Sequence, residues 1–185
     1  MLRSTSLTLA CWAVLELSLR VREAVQGKGR PARDRGTREL IALTLGAAIA
    51  AAGVAASIAP SLRIPIAGRV VGVIVMWLGI ATRVWAIAAL GKAFRTTVEV
   101  DPGQAVVSTG PFKRIRHPSY AGLLLIVAGF GLAAGNWLSL IACVALPLPA
   151  LVRRIHVEEA ELSRVLGDAY RTYQGNTARL IPGVW

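Results

Sequence analysis

Hydrophobic positions in this chain come in long unbroken blocks, and most of its cations collect in the stretches between them. Four blocks stand out: Leu7 to Leu19, Leu40 to Ala59, Ile64 to Leu90 (interrupted by Arg69 and Arg83) and Tyr120 to Val152. A helix needs about 20 apolar residues to cross a hydrocarbon core. The fourth block runs for 33 residues without a charge, too long for one crossing, and Gly135-Asn136 falls near its middle. Glycine and asparagine are favoured where a helix stops. Splitting the block there predicts a tight helical hairpin of two short helices, and five membrane helices in all.

Two further segments carry structure without being spans. Thr96 to Val107 reads as a β-hairpin, with Thr97, Val98 and Val100 on one arm, Asp101-Pro102-Gly103 as the turn, and Val106 and Val107 on the other arm. The tail from Val152 to Tyr173 has helical periodicity: Leu151, Ile155, Leu162, Leu166 and Ala169 form a stripe, and Gly175-Asn176 is a stop signal. No internal repeat is present. The expected architecture is an all-α membrane protein forming a single domain over residues 1–185. It has about five transmembrane helices including the C-terminal hairpin, a cytoplasmic β-hairpin or loop, and a C-terminal cytoplasmic helix.

Composition agrees with the bilayer as solvent. Of 185 residues, 55% are hydrophobic and only 17% charged, too few to coat a soluble surface. The net charge of +11 raises nucleic acid as a partner, but the basic residues sit between apolar blocks and are not interleaved with exposed aromatics. Loops lying beside anionic headgroups account for them, so membrane lipids are the expected partner and nucleic acid is not. Arg20 to Glu39, Gly91 to Ser119 and the Arg153-Arg154 pair are the cation-rich stretches, and the intervening connections around Pro60 and at Gly135-Asn136 are poor in charge. Short Lys/Arg-rich loops stay cytoplasmic, which with five crossings places the N-terminus outside and the C-terminus inside, in the plasma membrane of a prokaryote. The N-terminal block carries Glu16 and no strongly basic leader, and is expected to be a retained first helix. Cys11 and Cys143 lie in apolar blocks without metal-type spacing, so no metal is expected and each reads as a small buried hydrophobe.

Three clusters can carry chemistry. In Gly110 to Tyr120, Pro118 suits the first turn of a helix and leaves His117 just outside it, beside unpaired backbone N–H groups that can bind a carboxylate. The same loop reads equally as cations reaching for headgroups with Tyr120 as an interfacial anchor. On the tail, Arg154 and Glu158 are four apart on one face, while Glu159 falls on the stripe expected to pack and needs a partner there. Arg83 lies inside the third apolar block, where a charge is either functional or snorkels along its own stem.

These residues carry a resemblance. The run Arg116-His117-Pro118-Ser119-Tyr120 followed by Gly122 and Gly129 resembles the signature of the isoprenylcysteine carboxyl methyltransferase family. So do Arg154-x-x-x-Glu158-Glu159-x-x-Leu162 with Gly167, Tyr170 and Tyr173, and, upstream, Arg83-x-Trp85-Ala86-Ile87 with Leu90-Gly91. The resemblance covers about residues 78–182. It implies a cytoplasmic pocket for S-adenosylmethionine and methyl transfer to a lipophilic acceptor, in the first instance the carboxylate of an isoprenylcysteine-like molecule. By matching positions, Gln104, Ala105, Val106, Val107, Phe112, His117, Pro118, Ser119, Tyr120 and Glu158 would line the cofactor site, and Arg154 would be the catalytic residue beside the methyl-accepting group. Phe112 stands where the family commonly has tyrosine, and Gln104 where histidine is frequent.

Other readings stay open. A phenol or amine acceptor, such as a phenolic lipid or phospholipid headgroup, would benefit from a base, with His117 as the candidate. Membrane sterol reductases that use NADPH resemble the family in their C-terminal half. A scaffold or lipid-binding protein could keep the fold without the chemistry.

Overall fold

Proline and glycine set where the apolar blocks begin and end as helices. The computed structural model describes residues 5, 7–14, 16–18, 35–95, 100 and 103–185. Its α-helices are α1 (Leu7–Ser18), then α2 (Thr37–Ile58), α3 (Ile66–Leu90), α4 (Pro118–Ala134), α5 (Trp137–Ala145), α6 (Leu148–Leu166) and α7 (Asp168–Gly175). Pro65 precedes α3 and Pro118 opens α4, the position where a missing N–H costs nothing. α4 stops at Gly135, whose φ of 84° is left-handed, and the Asn136 side chain accepts from Leu138 N at 2.8 Å to start α5. The hairpin turn anticipated at Gly135-Asn136 is therefore where the chain reverses.

By length and composition, the Thr37–Ala55 part of α2, α3 and the run Trp137–Leu166 are able to cross a membrane, while α1 and α4 are apolar but shorter. Leu43, Ile58, Ile66, Ile74, Leu78 and Ile141 are all exposed on the helices. This is the surface of a membrane protein, with lipid as the missing neighbour.

The second arm of the hairpin does not end near Val152 as the block boundary suggested. α5 passes through Leu146 and Pro147, both in right-handed helical geometry, directly into α6. Pro147 and Pro149 lack N–H groups, so the ladder is interrupted there, and it resumes with Leu151 N donating to Pro147 O at 3.0 Å. The membrane arm and the tail helix are one interrupted rod. Its lower half buries Leu151, Ile155 and Glu159, as the stripe anticipated. Ala169 is exposed instead, because Gly167 (φ 59°) breaks the helix and α7 starts a new direction.

α3 and α4 pack through glycine. A Cβ on Gly72 would stand 2.5 Å from Ala133 N and 2.7 Å from Gly129 O, and one on Gly129 would stand 2.6 Å from Gly72 O and Met76 N. One heptad along, a Cβ on Gly79 would meet Gly122 O at 2.7 Å, and one on Gly122 would meet Gly79 O at 2.8 Å and Arg83 N at 2.9 Å. The two backbones are in direct contact along this seam, an arrangement that maximises dispersion contact where lipid removes the hydrophobic drive for helices to associate. α2 joins α5 similarly, Ser139 Oγ donating to Ala52 O at 2.9 Å beside buried Ala48, Ala52 and Cys143. Cys143 is buried as expected, but Cys11 lies on an exposed face of α1. At the end of the bundle away from the motif loops, Asn136 Nδ2 donates to Ala59 O at 2.7 Å and Ile64 N to Gly135 O at 2.8 Å.

Of the anticipated β-hairpin, Thr96 to Glu99 and Asp101-Pro102 lie outside the described residues, and residues 104–108 carry no regular secondary structure. Among the described residues there is no strand, only the isolated bridges Arg63–Asn136 and Ile115–Ala178.

Candidate active site

Pro118 fixes the start of α4, and His117 occupies the N-cap position with its carbonyl accepting from Tyr120 N and Ala121 N, each at 3.0 Å. The chain before it is held by the chain that follows α7. Arg116 N donates to Ala178 O at 2.7 Å, His117 N to Arg179 O at 3.0 Å, and Ala178 N to Arg114 O at 3.1 Å. Glu159 plugs the junction. Its Oε1 accepts from Arg116 Nε at 2.9 Å and lies 3.2 Å from His117 Nε2, and its Oε2 accepts from Arg179 Nε at 3.0 Å. A carboxylate on the packing face needed a partner, and three cationic or polarisable groups supply it. Arg116 Nη1 also donates to Gln174 O at 2.9 Å and to Thr177 O. Arg179 in turn lies 5.2 Å over the Trp185 ring. Tyr173 Oη donates to Phe112 O at 2.7 Å. Burial holds the Tyr173 phenol up at about 12, against the pull of Arg116, so it remains a neutral donor.

On the other side of the α4 entry, Tyr120 reaches α6. Its hydroxyl donates to Glu158 Oε2 at 2.7 Å and accepts from Arg154 Nε at 3.1 Å, while Arg154 Nη1 donates to Thr37 Oγ1 at the start of α2 at 3.1 Å. The His117 and Tyr120 rings stack with centroids 5.6 Å apart. The i,i+4 pair read on the tail is thus completed by a phenol inserted from another helix.

These groups open onto one cavity of about 530 Å³. Gln104, Ala105, Val106, Val107, Phe112, His117, Pro118, Ser119, Tyr120, Arg154 and Glu158 all line it. Every residue that the resemblance assigned to the site lines this space; Glu159, the third member of the tail cluster, does not, and works behind it. α1 and α2 add an apolar stretch through Trp12, Leu17, Ile41, Ala42, Leu45 and Ile49, with the charged Glu16 and Arg38 among it. Polar groups and aliphatic chains line the same space, as a site for an amphipathic ligand requires.

Sequence reasoning singled out Arg83 but missed its partner and several other contributors. Glu16 and Arg83 face the cavity as an ion pair, with Arg83 Nε 2.6 Å from Glu16 Oε1 and Nη2 3.1 Å from Oε2. A carboxylate in one apolar block and an arginine in another was a signal for such a pair. Arg38, Phe94, Arg95, Tyr170 and Tyr173 also line the space. Among the described residues no cluster of His, Cys, Asp and Glu is arranged to hold a metal.

The chain is 40% identical over 57 residues to the uncharacterized protein YpbQ of Bacillus subtilis, an alignment covering 26% of this chain and 34% of that protein. It is 28% identical over 115 residues to protein-S-isoprenylcysteine O-methyltransferase A of Arabidopsis thaliana (61% of this chain, 58% of the relative). The match to protein-S-isoprenylcysteine O-methyltransferase of Schizosaccharomyces pombe is 28% identical over 107 residues, covering 50% of this chain and 45% of the relative. The solved structure of the eukaryotic intramembrane Ras methyltransferase superposes with a TM-score of 0.66 at 25% identity, covering 77% of this chain and 52% of that one. The alignments thus span between about a third and three fifths of each relative's length. Residues 71–164, half of the chain, match the family model for isoprenylcysteine carboxyl methyltransferases, and the chain belongs to that family.

Proposed function

We propose that this protein transfers a methyl group from S-adenosylmethionine to a lipophilic acceptor, in the first instance the carboxylate of an isoprenylcysteine-like molecule, at the cytoplasmic face of the membrane. The observation that carries the reading is the Tyr120 hydroxyl held between Arg154 and Glu158 in the wall of a cavity to which α1 and α2 add an aliphatic stretch. A volume of about 530 Å³ is in the range of small-molecule sites. The residues present suit the donor: a carboxylate at Glu158, the stacked rings of His117 and Tyr120, and the chain from Gln104 to Val107 would hold its cationic and polar parts.

When bound, S-adenosylmethionine supplies an electrophilic methyl group on a sulfonium. The chain's own task is alignment of donor and acceptor and exclusion of water. A carboxylate acceptor is ionised at neutral pH and needs no base. Arg154 would orient it; Tyr120 and Thr37 fix the plane of the guanidinium, and a fixed fork can hold a carboxylate at one angle. The hydrocarbon part would lie along the α1–α2 wall. The basic loops favour this end of the bundle as the cytoplasmic one, with the N-terminus outside.

The test is methyl transfer from labelled S-adenosylmethionine by protein in lipid nanodiscs, offered a farnesylated cysteine derivative, a phenolic lipid or a phospholipid. Release of the label by mild base from the cysteine derivative supports the carboxylate reading. Label that resists base, in either of the other lipids, moves the acceptor to a phenol or amine. No transfer, combined with thermal stabilisation by NADPH alone, would replace the reading with a reductase.

A further inference from the structure

Arg83 donates from all three guanidinium nitrogens, and their two partners come from different parts of the chain. It sits on α3, one turn beyond the Gly79–Gly122 contact, and is buried. Both Glu16 oxygens, from α1, accept from Nε and Nη2, and Trp12 Nε1 adds a 3.1 Å bond to Glu16 Oε1. Its Nη1 points to the first turn of α4, donating to Ser119 Oγ at 2.7 Å and Ser119 O at 3.2 Å. Ser119 lies between Pro118 and Tyr120, the residues that face the cavity. Glu16 lies outside residues 71–164, the part shared with the family model.

A pair used only to fasten α1 would need no third partner. Here the planar guanidinium is oriented by a bidentate carboxylate, so its remaining edge has a fixed direction, and that edge grips a serine hydroxyl and backbone carbonyl. The hydrogen-bonded turn that presents Tyr120 to Arg154 and Glu158 is tied from behind. We propose that Arg83, oriented by Glu16, is a positioning residue that holds the Pro118–Tyr120 turn in register with α6. It acts through Ser119; its catalytic readout rests on the methyl-transfer reading above.

The experiment compares wild type with the double variant Glu16→Met/Arg83→Met. Removing both charges leaves no unpaired ion, so the double variant folds where a single one could fail. Amide hydrogen exchange of Tyr120 and Ala121, whose N–H groups bond His117 O, is read alongside Ile126, whose backbone packs in the glycine seam. We expect at least tenfold faster exchange at Tyr120 and Ala121, with Ile126 unchanged. We further expect S-adenosylhomocysteine binding and kcat to fall about tenfold, with acceptor KM within about twofold. Unchanged exchange at Tyr120 and Ala121 overturns the proposal whatever the enzyme does. Faster exchange with wild type that neither binds nor transfers leaves the positioning role intact and removes the methyl-transfer reading. Glu16→Asp, which keeps a carboxylate opposite Arg83, should stay nearer wild type in exchange and binding than the double variant, and values equal to the double variant's would count against the carboxylate acting through the guanidinium.

Discussion

Glu158 accepts a 2.7 Å hydrogen bond from the Tyr120 hydroxyl, joining the C-terminal rod to the first turn of α4 across the cavity wall. The same oxygen of Tyr120 accepts from Arg154, so one phenol holds a cation and an anion from α6 in fixed relation. Neither charge needs to contact the other.

Tyr120→Phe removes this link while keeping the ring that stacks on His117. Charge-assisted hydrogen bonds contribute about 1.5–3 kcal/mol, so kcat/KM should fall by roughly 10- to 100-fold. Methyl-transfer kinetics check it, and an unchanged rate would show that Arg154 and Glu158 hold their places without the phenol.

Arg154→Ala should abolish turnover while S-adenosylhomocysteine binding stays within about threefold of wild type, because the role assigned to the guanidinium is toward the acceptor. Arg154→Lys should recover little, since an ammonium cannot replace a planar fork held by Tyr120 and Thr37. Equal loss of turnover and cofactor binding in a calorimetric titration would count against the assignment.

Glu159→Gln keeps the shape of the plug and removes its charge. Arg116 would stay buried beside His117 with no anion in contact, and breaking a buried pair costs about 3–5 kcal/mol. A marked drop in thermal stability in detergent is expected, together with loss of activity. A stability equal to wild type would mean that the backbone bonds of Arg116 and His117 to the tail suffice.

Gly129→Val should unfold the α3–α4 pair, because the added carbon starts 2.6 Å from two backbone atoms of α3 that cannot move aside. Overpacking of ordinary cores costs about 1–3 kcal/mol, and a backbone neighbour puts this site at or beyond the upper end. Gly53→Ala on α2, where nothing lies within 4 Å, is the control and should be neutral or slightly stabilising. Folded yield and thermal denaturation distinguish the two.

Much of this site was legible along the chain because its signals are local. Pro118 after His117 marks a helix start, Gly135-Asn136 a reversal, and Leu151, Ile155 and Glu159 share one face by spacing alone. The unread parts depend on partners far away in sequence. Gly72, Gly79, Gly122 and Gly129 look like ordinary membrane-helix glycines until the facing backbone is known. Glu16 argued only against a leader peptide until Arg83 was found opposite it. Pro147 resembles a helix end, and becomes an internal break because the residues around it keep helical angles. Arg179 carried no motif at all, yet it completes the shell of Glu159.

The glycine seam also limits how this family member can change its diet. With Gly79 and Gly122 in backbone contact one turn from Arg83, the α3–α4 side of the cavity is at its closest approach and cannot recede without losing the turn that carries Tyr120. On the proposed function, room for a bulkier or slimmer hydrocarbon would be made on the α2 side, where Gly46 lines the cavity and a methyl group there would meet nothing within 4 Å. One wall is a fixed jaw, and the other is where selectivity can be adjusted.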